Sequence, residues 1–353
     1  MPADEEAPAG QAFAVRPFEA RPEVSVLLVG YRTRAELARC LPSLFASGDD
    51  VRFEVVLVDN ASGDGTAEWV ARELPQVRLV ALEENIGFGR AVNLAAEVAR
   101  GEHLLLLNPD TEVRPGAVGA LLRFARAHPR AGLVGGRTLT EDGTTEPSSC
   151  WGRPTLWSTL CFATGLSTAL SRSPLFNPES LPGWDRDDTR EVGVITGCLL
   201  MASVDTWRAL GGFDPRFFVY GEDTDLSLRA WEAGYRPMIT PEAEVVHTIG
   251  ASSARANRRV MIMRGKVSVA TKHWSAGRAR LMVGMLAAGV ALRAGLDAAK
   301  RAARRGGGPS DWAGAWQRRS EWLGGYPAVG AEVATAAELA DRLSPNSRSY
   351  TPT

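Results

Sequence analysis

The sequence predicts an α/β protein whose mostly parallel central sheet is flanked by helices. Two observations support this prediction. Short apolar runs alternate with longer segments of helical periodicity, as they do when parallel strands are buried on both faces. Polar and glycine-rich motifs follow those runs, at the sheet edge where α/β proteins bind their ligands. The four predicted strands are Val24–Val29, Phe53–Val58, Val77–Leu82 and His103–Leu107.

Helices are expected between these strands, because parallel neighbours cannot be joined by a tight hairpin. The predicted helices cover Arg34–Phe45, a segment ending near Glu73, and Gly87–Ala99. Pro115 is expected to open the next helix, in the first turn where its missing N–H costs nothing. A further short helix is predicted around Val204–Leu210.

Composition is that of a soluble globular protein. Of the 353 residues, 45% are hydrophobic and 23% are charged. The four cysteines show no CxxC spacing, which favours reduced thiols over a disulfide framework or a zinc site. We expect a disordered lead without a signal-peptide pattern (residues 1–22) and a main domain (23–275). Basic amphipathic C-terminal helices (276–325) and a loose tail (326–353) are expected to follow. Within the main domain, residues 138–190 lose the strand–helix pattern, which predicts a lid or acceptor-binding excursion.

Asp59 closes the second predicted strand and precedes Asn60 and a Ser-Gly-Asp-Gly turn. A carboxylate there can accept a hydrogen bond from a nucleobase or a ribose hydroxyl. The alternative is that Ser62 or Asp64 caps the next helix and that Asp59 is merely polar. The Asn85-Ile86-Gly87 segment after the third strand lacks the GxGxxG pattern, but its small residues suit close approach of a ligand to a helix start.

Asp110 follows the strand that ends in four leucines, and it is a natural ligand for a hard divalent ion such as Mg²⁺ or Mn²⁺. His247 follows the apolar pair Val245-Val246. Taken alone, such a histidine is more often a packed structural residue. Together with the other motifs, we interpret it as a second metal ligand.

Three carboxylates, Glu222, Asp223 and Asp225, follow an aromatic run at the start of a helical pattern. Acidic residues are stabilised at a helix N-terminus by the helix dipole, so an ordinary helix start is one interpretation. The other is a general base, whose pKa is raised by the neighbouring aromatic residues and like charges.

In this order, the motifs resemble those of family 2 glycosyltransferases of the GT-A fold, in the rhamnosyltransferase-like subgroup. The resemblance covers about residues 24–275. It rests on Val58-Asp59-Asn60-Ala61-Ser62 with Asp64-Gly65-Thr66, Asn85-Ile86-Gly87-Phe88, Asn108-Pro109-Asp110, Gly211-Gly212-Phe213-Asp214, the run Glu222–Arg229, and His247.

This resemblance implies a GT-A fold with an antiparallel acceptor-side portion and a C-terminal helical extension. It implies inverting transfer from a nucleotide diphosphate sugar, with Mg²⁺ or Mn²⁺ as cofactor. Asp110 would match the last Asp of the family's DxD motif, His247 would match its further metal ligand, and Asp223 would be the general base. The residues expected to bind the donor nucleotide are Tyr31, Asp59, Asn60, Asn85, Gly87 and Asn108.

The sequence departs from the family pattern at two positions. Asn108 replaces the first Asp of the DxD motif, which removes one carboxylate and leaves full or partial metal dependence open. Arg32 follows Tyr31 where many relatives carry Asn. Glu222 and Asp225 also compete with Asp223 for the role of base.

A basic, acid-free segment covers Val245–Leu296, with an apolar run at Leu281–Leu292. Twelve apolar residues are too few to span a bilayer, which takes about 20. We therefore expect residues 255–322 to contact a membrane surface, the alternative being a packed helix with a solvated basic face. Nucleic acid is not an expected partner, because no recognition motif accompanies the charge.

The leading functional hypothesis is transfer of L-rhamnose from dTDP-rhamnose to a lipid-linked or polysaccharide acceptor in cell-envelope glycan synthesis. The expected location is the cytoplasm, at the inner face of the plasma membrane. One alternative is the same fold with a UDP-hexose or UDP-N-acetylglucosamine donor. A different class is a catalytically silent nucleotide-sugar-binding scaffold subunit. The sequence leaves the acceptor, the linkage and the oligomeric state open.

Overall fold

The structure, a computed structural model, describes residues 21–47, 50–247, 255–304, 310–328 and 336–343. Residues 1–20 of the predicted lead and much of the predicted tail lie outside these ranges. Strands and helices alternate through the first part of the described chain, as the sequence predicts. They are β1 (Val24–Gly30), α1 (Arg34–Phe45), β2 (Phe53–Asp59), α2 (Thr66–Glu73), β3 (Val77–Ala81), α3 (Phe88–Val98) and β4 (His103–Leu107).

The central sheet has a parallel half and a mixed half. Strands β1–β4 are parallel and lie in the order β3-β2-β1-β4. The mixed half continues beyond β4 with β11 (Leu199–Ser203), β6 (Leu133–Leu139), β12 (Met238–His247) and β5 (Thr111–Val113), in that order. Strand β11 is antiparallel to both of its neighbours, and β12 is parallel to β6. The predicted α/β class with an antiparallel portion is thereby confirmed.

Helices cover both faces of the sheet. Successive side chains of β1 point to opposite faces of the sheet. Val26 and Leu28 pack with α1 and with α4 (Ala117–Ala127) on one face. Leu27 and Val29 pack with α3 on the other face. The second layer also contains α7 (Val204–Leu210) and α8 (Glu222–Glu232). Both faces of the parallel strands are thus buried, which explains their continuous apolar sequence.

The fourth helix begins at Ala117, two residues after Pro115, so the prediction that Pro115 opens it is wrong. Gly116 precedes the helix with φ of 82°, a left-handed conformation that glycine adopts readily. Its N–H donates to the Ser47 carbonyl (3.0 Å), which ties this turn to the end of α1.

The predicted excursion contains ordered elements that are tied to the sheet at both ends. Its first strand, β7 (Thr145–Glu146), pairs with β6, and β9 (Arg190–Glu191) pairs with β12. Between them lie β8 (Cys150–Trp151), α5 (Leu156–Thr164) and α6 (Leu166–Ala169), and β10 (Val194–Ile195) then pairs with β8. Helix α5 starts with a capping box between Thr155 and Ser158.

The C-terminal region is helical. It comprises α9 (Arg255–His273), α10 (Ala276–Arg304), α11 (Asp311–Gln317) and α12 (Ala336–Leu343). The first three share an apolar cluster around the fully buried Trp322. Tyr326 is also buried, and its hydroxyl donates to the Val219 carbonyl (2.6 Å), which joins this region to the loop before α8.

Helix α10 is the longest helix of the described chain. Among the described residues, Ala276–Ala302 is one stretch long and apolar enough, by length and composition, to cross a membrane. The twelve-residue run seen in the sequence is therefore only the central part of a much longer apolar helix.

Candidate active site

Asp59 and Ser62 form a hydrogen-bonded pair at the carboxyl end of β2. The Ser62 hydroxyl donates to Asp59 Oδ1, and Ser62 Oγ accepts from the Arg32 backbone N–H (3.0 Å). Burial raises the pKa of Asp59 even though the bonds from Ser62 oppose that rise. Asp64 instead supports the start of α2, since it accepts from the Thr66 N–H (3.1 Å). The carboxyl group of Asp59 is therefore fixed in orientation by Ser62, at the edge of the sheet where α/β proteins bind ligands.

Asn60 and Asn85 hold together the loops that follow β2 and β3. Asn60 Nδ2 donates to Asn85 Oδ1 (3.1 Å), and Asn60 Oδ1 accepts from the Ile86 N–H (3.0 Å). Asn85 Oδ1 also accepts from the Gly87 N–H (2.9 Å). Asn60 is buried, and its hydrogen bonds therefore support a structural role, which is to fix the loop after β3 against the loop after β2.

Gly87 lies directly against the aromatic run that precedes the acidic motif. Its φ is 87°, and a Cβ atom at this position would lie 2.6 Å from the Phe218 carbonyl oxygen. The Phe88 N–H donates to that same carbonyl (2.7 Å). The loop after β3 and the start of the acidic motif are thus brought together, over more than 120 residues of sequence, by an approach that only glycine permits.

Backbone strain is concentrated at this edge. Arg32, Ala61 and Tyr220 have φ of 56°, 60° and 64°, and they are three of the five non-glycine residues with positive φ in the described chain. Such residues cost about 1–3 kcal/mol each and persist where the surroundings hold them, often at functional sites. Tyr31, next to the first of them, is 42% exposed, and the Arg32 guanidinium lies 5.4 Å from its ring centroid.

Asp110 and His247 are adjacent, as the sequence predicts for a pair of metal ligands. Strand β12 pairs with β5 so that His247 lies opposite Thr111, the residue after Asp110. His247 Nε2 is 3.4 Å from Asp110 Oδ1. Its other ring nitrogen, Nδ1, is 2.6 Å from Glu146 Oε2. Burial lowers the pKa of His247, but the two carboxylates outweigh burial and raise the pKa to about 9.

The spacing of the two residues is compatible with one divalent ion between them. Two ligand atoms on one Mg²⁺ or Mn²⁺ lie about 3 Å apart when each bond is about 2.1 Å, close to the separation of Nε2 and Oδ1. Among the described residues, no group of three or more His, Cys, Asp or Glu side chains is arranged to hold an ion by itself. Magnesium commonly takes one or two protein ligands and completes its shell with phosphate and water, so a site with only two protein ligands is compatible with this ion.

Asn108 is fixed through its backbone at the end of β4. Its N–H donates to the Cys198 carbonyl (3.0 Å), and its own carbonyl accepts from Thr111 Oγ1 (2.6 Å). These bonds set the turn that carries Asp110. Cys198 is buried beside that turn, and burial, with the charges of Asp110 and Glu146, raises the pKa of its thiol.

The three carboxylates of the acidic motif have different environments. Glu222 is buried, and its Oε2 has no hydrogen-bond partner in the described part of the chain. Burial raises its pKa, and the adjacent Asp223 raises it further. Asp225 has an exposed fraction of 0% and is surrounded by cations. Asp223 is half-buried and accepts from the Thr224 N–H (2.6 Å), with its pKa raised by burial.

Asp225 has three basic partners. Of these, Arg229 lies on α8 itself, and Lys272 and His273 lie on α9, so the last two join the helices. The contacting atoms are Arg229 Nη2 (2.8 Å), Lys272 Nζ (2.7 Å) and His273 Nε2 (2.8 Å). Lys272 also pairs with Asp214 (2.6 Å), in the loop before the aromatic run. Burial raises the pKa of Asp225, but the bond from His273 and the charges of Arg229 and Lys272 outweigh it and bring the pKa to about 2. This cluster holds Asp225 in place, which leaves Asp223 as the accessible carboxylate.

Tyr220 is half-buried and lies two residues before Glu222. Burial raises the pKa of its phenol; Arg258 opposes this rise, whereas Glu222 and Asp110 both add to it.

The motifs that follow β2, β3 and β4 and the start of α8 lie at one edge of the sheet. Asn60 bonds to Asn85, Gly87 contacts Phe218 just before α8, and Asp110 follows β4, which is parallel to β1.

Solved structures of similar architecture are nucleotide-sugar glycosyltransferases. GalNAc-T7 with UDP, GalNAc and Mn²⁺ matches with a TM-score of 0.50 and 17% identity, over 73% of this chain and 49% of that one. The mannosyltransferase PcManGT from Pyrobaculum calidifontis, with GDP-Man and Mn²⁺, matches with a TM-score of 0.50 and 20% identity, over 86% of this chain and 80% of that one. The mixed sheet flanked by helices is therefore the GT-A glycosyltransferase fold.

The chain belongs to glycosyltransferase family 2. Residues 25–177 match the family described as glycosyl transferase family 2, and residues 103–339 match glycosyl transferase family group 2. The N-acetylglucosaminyl-diphospho-decaprenol L-rhamnosyltransferase of Mycobacterium tuberculosis is 32% identical over 65% of this chain and 77% of its own. The O-antigen biosynthesis protein RfbC of Myxococcus xanthus is 31% identical over 69% of this chain and 19% of its own. The predicted family and enzyme class are confirmed.

Proposed function

We propose that this glycosyltransferase moves L-rhamnose from dTDP-rhamnose to a lipid-linked acceptor in cell-envelope glycan synthesis. The observation that carries the chemistry is the meeting of Asp59, the Asp110–His247 pair and Asp223 at one edge of the sheet. The sugar and the acceptor class come from the likeness to the mycobacterial rhamnosyltransferase. A polysaccharide acceptor is the variant that the Myxococcus relative suggests.

Asp223 acts as the general base. It accepts the proton of the acceptor hydroxyl as that oxygen forms a bond to the anomeric carbon of the donor sugar. The bond from this carbon to the diphosphate oxygen breaks, and its electron pair leaves with the nucleoside diphosphate. Because attack and departure occur on opposite faces, the configuration at the anomeric carbon inverts. Glu222, buried with a raised pKa, and Asp225, bound by three cations, are less suited to this role.

The donor nucleotide lies along the ends of β1, β2 and β4. Asp59 accepts from the base or from a ribose hydroxyl, and the exposed ring of Tyr31 offers a stacking surface. Asn60 and Asn85 hold the loop in which Gly87 packs against Phe218, and Asn108 positions the turn before Asp110. Asp110 and His247 would hold Mg²⁺ or Mn²⁺, which offsets charge on the departing diphosphate.

The alternative donors are UDP-galactose, UDP-glucose and UDP-N-acetylglucosamine. Thymine and uracil differ by one methyl group, which contributes only about 1–3 kcal/mol to discrimination in an apolar pocket. The sugar pocket therefore decides the donor more strongly than the base does. The proposed location is the cytoplasmic face of the plasma membrane, where a water-soluble donor meets a lipid-linked acceptor.

Transfer assays test this function. Purified protein with Mn²⁺ is given each donor together with an N-acetylglucosaminyl-diphospho-polyprenol acceptor, and products are identified by mass spectrometry and NMR. The proposal expects a rhamnosylated lipid whose anomeric configuration is opposite to that of the donor. Hexose transfer would overturn the choice of donor, and retained configuration would overturn the mechanism. Donor binding without turnover, with any acceptor, would favour a scaffold protein.

A further inference from the structure

Helix α10 has two apolar faces, of which only one is packed against the protein. On the packed face, Met282, Leu286 and Val290 are buried against neighbouring helices. On the opposite face lie Leu281, Gly284, Ala288, Leu292, Leu296 and Ala299, all of them exposed and spaced three or four residues apart. A helix on the surface of a soluble protein normally presents polar residues to water. This exposed face, the α10 outer face, instead requires an apolar partner.

The exposed leucines are large parts of this surface. Leu281, Leu292 and Leu296 have exposed fractions of 55%, 38% and 51%. The α5–α6 segment, whose Phe162 touches α10 at Gly289, also carries the exposed side chains of Trp157 and Leu160 (42% and 40%). A tryptophan with leucines is typical of helices that lie at a membrane interface.

Positive charge lies at both ends of the α10 outer face. Arg278 and Arg280 are exposed near the first leucine, and Lys300 is exposed beyond the last one. Asp297, which is half-buried, is the single acidic residue of the helix. An apolar strip with basic residues at its ends matches a bilayer whose head groups are anionic.

The packed face argues against α10 crossing the bilayer. Arg293 is buried, stacks on the Phe162 ring (4.0 Å) and donates to the Phe162 carbonyl (2.7 Å) and to Thr168 Oγ1 (2.9 Å). A spanning helix would have to leave these partners in the catalytic domain. The helix would therefore lie parallel to the membrane, with its outer face in the interface.

We propose that the α10 outer face docks this enzyme on an anionic phospholipid bilayer. The inference deepens the proposed function, since it places the catalytic domain beside a lipid-linked acceptor. The same apolar strip also suits a second copy of this chain, and the experiment distinguishes the two occupants.

The test is co-sedimentation of the full chain with vesicles of phosphatidylcholine containing phosphatidylglycerol. The double variant Leu281→Glu/Leu292→Glu is compared with Ala46→Glu/Ala127→Glu, which adds the same charge at exposed positions of the end of α1 and of α4. We expect the first variant to lose at least tenfold in vesicle partitioning and the control to bind as wild type does. Both are expected to keep the wild-type far-ultraviolet circular dichroism.

Three results would overturn the proposal. One is wild-type partitioning of the double variant, and another is no vesicle binding by the wild type. The third is a wild-type dimer that the double variant dissociates while vesicle binding persists, which would assign the face to self-association. None of these readouts uses turnover, so a wrong donor or acceptor would leave the result intact.

Discussion

Glu146 Oε2 lies 2.6 Å from His247 Nδ1, on the side of the imidazole ring opposite Asp110. A histidine that donates its Nδ1–H to a carboxylate keeps Nε2 available as a ligand and has a fixed ring orientation. Glu146 belongs to β7, in the excursion, so this segment contributes a side chain to the candidate site. The contact gives the proposed metal pair a positioning residue.

Removing this carboxylate should weaken metal binding. We expect Glu146→Ala to lower Mn²⁺ affinity by about 10–100-fold, the usual effect of losing such a supporting group. Glu146→Gln, which can still accept the hydrogen bond, should lose less. Calorimetric titration of Mn²⁺ in the presence of the nucleoside diphosphate measures this without turnover. The control is Glu141→Gln, an exposed position in the same loop; equal affinities in all variants would contradict the positioning role.

Asp223 is expected to be the base among the three carboxylates of the motif. Asp223→Asn should lower kcat by about 10²–10⁴-fold with donor affinity retained, because general base catalysis contributes that much. Glu222→Gln should retain most of the activity, since its carboxyl group has a raised pKa and is largely neutral. Steady-state kinetics on both variants, with donor binding measured separately, compares them. A larger loss of kcat in Glu222→Gln would transfer the role to Glu222.

Glu222 should make the protein less stable at neutral pH than at acidic pH. Its pKa is raised on folding, so the folded state holds the proton more tightly than the unfolded state. Its contribution to stability is complete below the ordinary pKa of 4.5 and is lost as pH rises from there towards the folded pKa. Within that window, each rise of one pH unit lowers the free energy of unfolding by about 1.4 kcal/mol.

Glu222→Gln should therefore raise the free energy of unfolding at pH 7.5 and have little effect at pH 4. Urea unfolding at the two pH values provides the measurement. A variant that is less stable than wild type at pH 7.5 would mean that ionised Glu222 is stabilised by contacts in the folded protein.

Asp225 should be important for the position of α8. Asp225→Asn leaves Arg229, Lys272 and His273 without their shared anion, and breaking a buried ion pair typically costs about 3–5 kcal/mol. We expect a loss of that order in urea unfolding at pH 7, and a lower kcat in the fraction that remains folded. Glu232→Gln, which removes only the exposed partner of His273, is the matched control. A destabilisation no larger than that of the control would contradict the proposed role of Asp225 in holding α8 against α9.

Local sequence pattern predicts much of the parallel half. Strands β1 to β4 and the helices between them agree with prediction to about one residue at each end, because their buried apolar runs are bounded by polar turns. The same pattern puts Asp59 and Asp110 at one edge, since parallel strands end on the same side.

The partners of these residues depend on tertiary register, which local pattern does not contain. Glu146 approaches His247 because Thr138 of β6 pairs with Glu146 on one side and with Val245 on the other. Asp225 has the sequence of an ordinary acidic helix start, and its partners Lys272 and His273 lie on α9. Likewise, composition shows that α10 is apolar, whereas only its packing shows which face is exposed.

Donor binding tests the central claim most directly. Calorimetry on the purified protein would compare dTDP-rhamnose, UDP-glucose, UDP-galactose and UDP-N-acetylglucosamine, with Mn²⁺ and then with EDTA. We predict that dTDP-rhamnose binds most tightly and that EDTA weakens its binding. Tighter binding of a UDP-sugar would contradict the proposed donor, and unchanged binding in EDTA would contradict the role of Asp110 and His247 as metal ligands.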